Sequence, residues 1–381
     1  MDLFANLAWA GDTLIGYLLP FLFVLTVVVF FHELGHFVVA RWCGVAVKIF
    51  SVGFGPEIAG WTDAKGTRWR LSWIPLGGYV KFLDDEDVTS AAPHREARKM
   101  SAQERVGSFH LKPVGSRAAV VAAGPIANFI LAIAIFTIVF SVFGREVTDP
   151  RVDVVAPDSA AEEAGFLPGD LVKSIDGKPI KTFADMQRIV SGAAARSLTI
   201  VVQRDDYEIT LTATPRLKEI SDRFGNTQRV GLLGISRSVA GENLQRQRFS
   251  VPAAFWLAVK ETWYVTSRSL GYLYEVIVGR QDAGQLGGPL RIAQVSGQVA
   301  TLGLLALVNL SAVLSISIGL INLFPIPMLD GGHLLYYAIE ATRGRPLSER
   351  AQEFGFRIGL AIVLTLMIFA TWNDLVHLRF L

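Results

Sequence analysis

Residues 13–36 read TLIGYLLPFLFVLTVVVFFHELGH. From Thr13 to Phe31 there is no formal charge, and about 20 mostly apolar residues are enough for a helix to cross a bilayer. The run leads straight into His32-Glu33-Leu34-Gly35-His36. Positions i and i+4 of a helix share a face, so His32 and His36 offer two imidazoles to one side, a pair able to bind one Zn²⁺. Glu33 stands beside the first of them, where it can take a proton from an attacking water. Two histidines and a glutamate at the end of an apolar helix are costly unless paired with one another or with a metal.

Working outward, Ala118–Phe143 and Val299–Leu329 are also uncharged, and Phe354–Trp372 is nearly as apolar, with Arg357 near its start. An arginine there can snorkel to the interface. The expected fold is therefore a multi-span α-helical membrane protein with about four transmembrane helices. Charged residues make up 18% of the 381, below the roughly 25% of soluble domains. The N-terminus carries Asp2 and Asp12 rather than a basic leader, which reads as a retained first helix. No basic residue precedes Arg41, whereas Cys43–Arg117 holds eleven, and Arg343, Arg345 and Arg350 follow the third span. Positive loops stay inside, so both face the cytoplasm, and residues 145–298 lie outside it, in the periplasm of a Gram-negative inner membrane. A net charge of +2 gives no electrostatic case for nucleic acid. One cysteine, Cys43, excludes an internal disulfide and a cysteine metal cluster. Any metal must be held by histidine and carboxylate.

A catalytic zinc wants three protein ligands and an open position. Asp330, in NLFPIPMLDGGH after the third span, is the best third ligand. The first and third helices both run inward, so their ends meet at one membrane face. The alternative for Asp330 is a turn aspartate beside Gly331 and Gly332. His333 is a rival ligand, with a structural histidine the favoured reading. His94, His110 and His377 show no metal spacing.

Four motifs now converge: HELGH at His32–His36, GFGP at Gly53–Pro56, AGPIANF at Ala123–Phe129 and NLFPIPMLDGG at Asn322–Gly332. Together they resemble the site-2 protease family of intramembrane zinc metalloproteases, in its bacterial regulator-of-sigma-E protease type. The resemblance implies that His32, His36 and Asp330 bind zinc and that Glu33 is the catalytic acid and base. It also implies that Asn322 holds the substrate backbone or the reacting carbonyl. Its other reading is a polar residue bonding between helices.

Residues 68–82, RWRLSWIPLGGYVKF, alternate as a strand does, with Gly77-Gly78 as a turn signal before a second short strand. The segment reads as a membrane-associated β-hairpin. Either it only packs on the membrane surface, or its edge, with Gly77, Gly78 and Tyr79, pairs with an extended substrate. Gly53, Gly55 and Pro56 suggest a tight loop near the site. Gly124, Pro125 and Asn128 suit close helix packing. Asp84–Asp87 reads as a solvated acidic patch, and 89–103 as a mobile segment or surface helix.

Residues 151–215 read as an inserted α/β domain: VDVVAP a strand, AEEAGFLPGD a short helix and turn, LVKSIDGKPI a strand and turn, FADMQRIVS a helix, SLTIVVQRD and YEITLTATP two strands. The order resembles a PDZ domain, through A-x-x-A-G-x-x-x-G-D ending at Asp170 and I-D-G at Ile175–Gly177. GLLGI at Gly231–Ile235 resembles the peptide-carboxylate loop in a circularly permuted position. Backbone N–H groups of Leu232, Leu233, Gly234 and Ile235 would then hold a chain terminus, with Met186 and Ile189 facing the groove. The alternative is a domain that only screens bulky substrates. Residues 251–279 mix Trp and Tyr with charge, as an interfacial helix does, with a fifth span as the runner-up.

The expected organisation is a membrane core over 1–144 and 299–381, a periplasmic PDZ-like domain over 145–240 and an amphipathic segment over 241–298. The expected activity is cleavage of single-span membrane proteins, with anti-sigma factors or signal-peptide remnants as the substrates the resemblance implies. The partners are transmembrane substrates and lipid, with the oligomeric state open. The rivals are a catalytically silent peptide-binding scaffold and a metal transporter, which would usually show internal repeats that this sequence lacks.

Overall fold

The computed structural model describes residues 3–84, 102–221, 227–237, 245–279, 283–285 and 287–377. The chain forms two compact units, one from Met1–Val139 with Val251–Leu381 and one from Phe140–Ser250. Along the chain the first unit begins with α1 (Leu3–Trp42), β1 (Val47–Thr62), β2 (Arg68–Phe82), α2 (Ala102–Gly107) and α3 (Val114–Ile138). Among the described residues, four helices are long and apolar enough to cross a membrane: Ile15–Trp42, Val114–Phe143, Leu304–Asn322 and Glu349–Val376. The protein is a multi-span helical membrane protein.

Apolar pressure between helices is absent in lipid, so small residues must let backbones approach. Gly35 of α1 sits so close to Ala123 and Ala127 of α3 that a side chain there would strike both.

The β-hairpin differs from the sequence reading. Gly77-Gly78 makes no turn. Both residues lie inside β2, and the reversal falls at Asp63–Thr67. There the Asp63 Oδ1 accepts from the Lys65 and Thr67 amides at 2.9 and 3.0 Å, a side-chain-built turn. Nor do Gly53 and Gly55 form a separate loop. They sit within β1 at φ of +86° and +88°, the left-handed region open to glycine, and let the strand bend. Each strand thereby pairs twice: Val47–Val52 antiparallel with Gly78–Phe82, Glu57–Thr62 antiparallel with Arg68–Ser72. Ile49–Val52 also runs alongside Arg68–Leu71 in the same direction. Glu57–Thr62 and Gly78–Phe82 are thus the two outer stretches of the sheet.

Asp84 is a second correction. It is buried rather than solvated. It accepts from Ser108 Oγ at 2.6 Å, the Phe109 and His110 amides at 3.1 and 2.9 Å, and His110 Nδ1 at 2.9 Å. Burial alone would raise its pKa, but His110 and Ser108 outweigh that and hold it well below the usual carboxylate range. Residues 85–101, including His94, and the His377 side chain lie outside the described residues.

The second unit carries β3 (Arg145–Val147), β4 (Val154–Val155), α4 (Ala160–Glu163), β5 (Leu171–Ile175), β6 (Lys178–Pro179), α5 (Phe183–Ser191), β7 (Leu198–Arg204) and β8 (Tyr207–Ala213). It closes with β9 (Arg216–Ser221), β10 (Thr227–Leu232), β11 (Ile235–Ser236) and β12 (Gln245–Gln247). A four-stranded sheet in the order β6-β5-β7-β8, with β11 on β4 and β12 on β3, surrounds a core of Val172, Ile175, Leu198, Ile200 and Phe166. This is an inserted α/β domain whose strands and helices follow the order expected from its sequence. The Asp170 carboxylate that ends the glycine motif is fully buried and takes both the Nε and an Nη of Arg204, at 2.8 and 2.9 Å.

The first unit resumes with α6 (Val251–Ile277), α7 (Pro289–Ala300), α8 (Leu304–Asn322), α9 (Asp330–Arg343) and α10 (Glu349–His377). α6 packs on α3 and α8 with Ala254, Ala258 and Thr262 buried. Val24 and Val28 of α1 bury against Leu307 of α8. The third span ends at Asn322 rather than Leu329. Pro325 and Pro327 bar further helix, and the chain turns through Met328, at φ +99°, to start α9 at Asp330.

Candidate metal centre and active site

His32 and His36 project from α1 one turn apart, and Asp330 arrives from the first residue of α9. Their donor atoms form a triangle. His32 Nε2 is 3.3 Å from His36 Nε2, and Asp330 Oδ2 is 3.3 and 3.6 Å from the two nitrogens. Ligands of a tetrahedral zinc with bonds of about 2.0–2.1 Å stand about 3.3–3.4 Å apart, so the three atoms fit that ion. Two further observations agree. Asp330 Oδ2 is buried without a hydrogen-bond partner. His36 Nδ1 lies 2.9 Å from the Val120 carbonyl, which keeps its proton on Nδ1 and turns the Nε2 lone pair inward. Burial would raise the Asp330 carboxyl, but His36 and His32 outweigh it and hold it well below the usual range. Among the described residues this is the one such group of histidine, cysteine and carboxylate donors.

Gly124 of α3 faces both rings, and a side chain there would collide with His36 and come within 2.9 Å of His32 Cε1. Asn128, one turn later, brings its amide nitrogen to 3.3 Å from His32 Nδ1. The sequence reading favoured a packing role for these two. Their i, i+4 spacing on an uncharged helix was the available signal.

Glu33 sits between the triangle and the sheet. A Cβ on Gly78 would be 3.2 Å from its Cγ, and the Val80 backbone amide bonds its carboxylate. Tyr79 instead stacks on Phe54 at 5.9 Å between centroids, and Gly77 backs onto the same Phe54 ring. Asn322 is half-buried at the last residue of α8. His333 stands outside the donor triangle, its ring edge-on to Tyr336, and burial pushes its pKa down.

In the second unit, Leu232 ends β10, Leu233 is buried in the core, and Gly234 adopts φ +85°. Ile235 begins β11 opposite Val155. Met186 does not face a groove. It is 2% exposed and belongs to the core, because α5 turns its apolar stripe inward.

A sequence model of peptidase family M50 matches residues 20–366. A zinc metalloprotease candidate of Rhizobium meliloti is 50% identical over 360 residues, covering 94% of this chain and 96% of its own. A second from Agrobacterium fabrum is 49% identical over 96% and 97% of the two chains. The metalloprotease MmpA of Caulobacter vibrioides is 41% identical over 95% and 96%. Among solved structures, the PDZ domain of an SdrC-like protein from Listeria monocytogenes matches 23% of this chain and 83% of its own. At 20% identity and a TM-score of 0.17, that likeness carries no argument. With the family matched across nearly the whole chain, this protein belongs to peptidase family M50, the site-2 protease family, and is a membrane zinc metalloprotease.

Proposed function

We propose that this metalloprotease is an intramembrane endopeptidase that cuts single-span membrane proteins within or beside the bilayer. The carrying observation is where the donors sit. His32 and His36 belong to an apolar candidate span, Ile15–Trp42, and His36 lies about 9 Å from its C-terminal end at about 1.5 Å per residue. A peptide bond reaching that depth comes from a membrane-embedded substrate.

In this reading His32, His36 and Asp330 hold zinc, which when bound polarises the scissile carbonyl and acidifies water. Glu33 takes the proton of the attacking water and delivers it to the leaving amine. Asn322 steadies the substrate backbone or the reacting carbonyl. A transmembrane helix spends its peptide groups on its own hydrogen bonds, so it must unwind before it is cut. The stretch Gly77–Tyr79, with Gly78 lying against Glu33, offers those groups new partners by strand addition. Gly77 and Tyr79 shape that stretch through their shared contact with Phe54.

The distribution of lysine and arginine supports an inner-membrane protein with its metal centre toward the cytoplasm and its PDZ-like domain in the periplasm. Within that domain the Gly234 and Ser236 carbonyls accept from Ala156 and Asp153. Backbone groups alternate sides along a strand, so those of Ile235 point away from β4, the side on which an extended chain end would pair. Anti-sigma factors and signal-peptide remnants are the substrate classes we infer.

The test is Glu33→Gln with a tagged single-span substrate in detergent. Cleavage is expected to fall by at least about 100-fold with zinc retained. Equal turnover would return the protein to a scaffold that does no chemistry.

A further inference from the structure

We infer that Asn128 is the positioning residue for His32: its amide oxygen accepts the Nδ1 proton and so fixes the tautomer that presents Nε2 to zinc. The inference rests on the metal-centre reading and deepens it.

Asn128 is fully buried, and its Oδ1 has no hydrogen-bond partner. A neutral imidazole that gives Nε2 to a metal carries its proton on Nδ1. With the amide nitrogen toward the ring, two N–H groups would face each other across 3.3 Å while the amide oxygen goes unused. The oxygen and nitrogen of such an amide are told apart only by their hydrogen bonds. The opposite orientation puts the oxygen on the Nδ1 proton. Metal-bound histidines almost always give that proton to a carboxylate, a carbonyl or water, and His36 already does so through Val120.

α3 is laid out for this purpose. Val120, Gly124 and Asn128 follow at i, i+4 and i+8, one face of the helix. The first serves His36, the second makes room for both rings, and the third serves His32. α8 locks the last of them: Ser315 Oγ donates to the Asn128 backbone carbonyl at 2.9 Å, and Gly319 packs against Pro125 and Asn128.

The test is zinc affinity of the purified full chain in detergent, by competition with a chelator of known affinity, together with the thermal midpoint of the zinc-free protein. Asn128→Leu, similar in size but unable to accept, is expected to weaken zinc about 10- to 100-fold. Asn128→Asp, whose ionised carboxylate only accepts, is expected to keep the parent affinity or exceed it. A residue that merely packed would show no recovery of zinc affinity in Asn128→Asp. Should Asn128→Leu fail to fold, Asn128→Asp decides alone, since a donating amide would lose zinc on that change. Parent-like affinity in Asn128→Leu, or loss of zinc in a folded Asn128→Asp, overturns the inference. A parent chain that takes up no zinc overturns instead the metal-centre reading beneath it.

Discussion

Adding one methyl group at Gly124 should empty the metal centre without unfolding the protein. A Cβ built there stands 2.9 Å from His32 Cε1 and nearer still to the His36 ring. Carbon atoms prefer about 3.5–4.0 Å, so each ring would have to withdraw by about 1 Å. Zinc sites tolerate deviations of only about 0.2 Å. Retreat is blocked, because Val120 holds His36 and the contact of Gly35 with Ala123 and Ala127 fixes α1 against α3. Alanine favours a helix over glycine by about 1 kcal/mol, so α3 itself is not weakened. Gly124→Ala is therefore expected to lose zinc and at least about 100-fold in cleavage rate, with unchanged helix content. Elemental analysis, circular dichroism and cleavage of a tagged single-span substrate measure these. A variant with the parent's zinc content and turnover would refute the reasoning.

Gly78→Ala should act on Glu33 and the strand beside it and not on the metal. Its methyl would press on Glu33 Cγ at 3.2 Å and the Ser51 carbonyl at 2.7 Å, so turnover should drop about 10- to 100-fold while zinc content stays at the parent level. A drop in zinc as well would show that the sheet supports the ligands and not Glu33. Asp84→Ala should destabilise the folded chain by about 3 kcal/mol, since several buried donors lose a charged acceptor. The folded pKa of Asp84 is depressed, so its stabilisation is complete above the unfolded value of about 3.9 and drains away as pH falls below it. Thermal melts of parent and variant should therefore converge on acidification, and a gap that widens toward low pH would contradict this.

Hydrophobic runs and i, i+4 histidines are local properties, and both are plain in the sequence. Asp330 could be paired with them because spans alternate direction, which brings the ends of the first and third to one face. What could not be read depends on packing between distant segments. The partners of Asp84 lie 24 to 26 residues away, so a run of acids read as solvated. Asn128 meets His32 only because small residues let α1 and α3 close on each other. Gly77-Gly78 and Gly53 carry turn chemistry but serve a doubled sheet whose shape comes from non-local pairing. The true reversal did have a signal, Asp63 followed by Gly66, which the stronger glycine pair obscured. Met186 read as a groove residue because its helix was judged by the PDZ pattern and not by which stripe the core takes.

The zinc-to-protein ratio of the purified full chain, measured beside Asp330→Ala, bears most directly on the metal centre. The triangle of His32, His36 and Asp330 predicts about one zinc per parent chain and close to none once the carboxylate is removed. Undiminished zinc in Asp330→Ala would show that the ion is held elsewhere, and the site described above would not be the catalytic one.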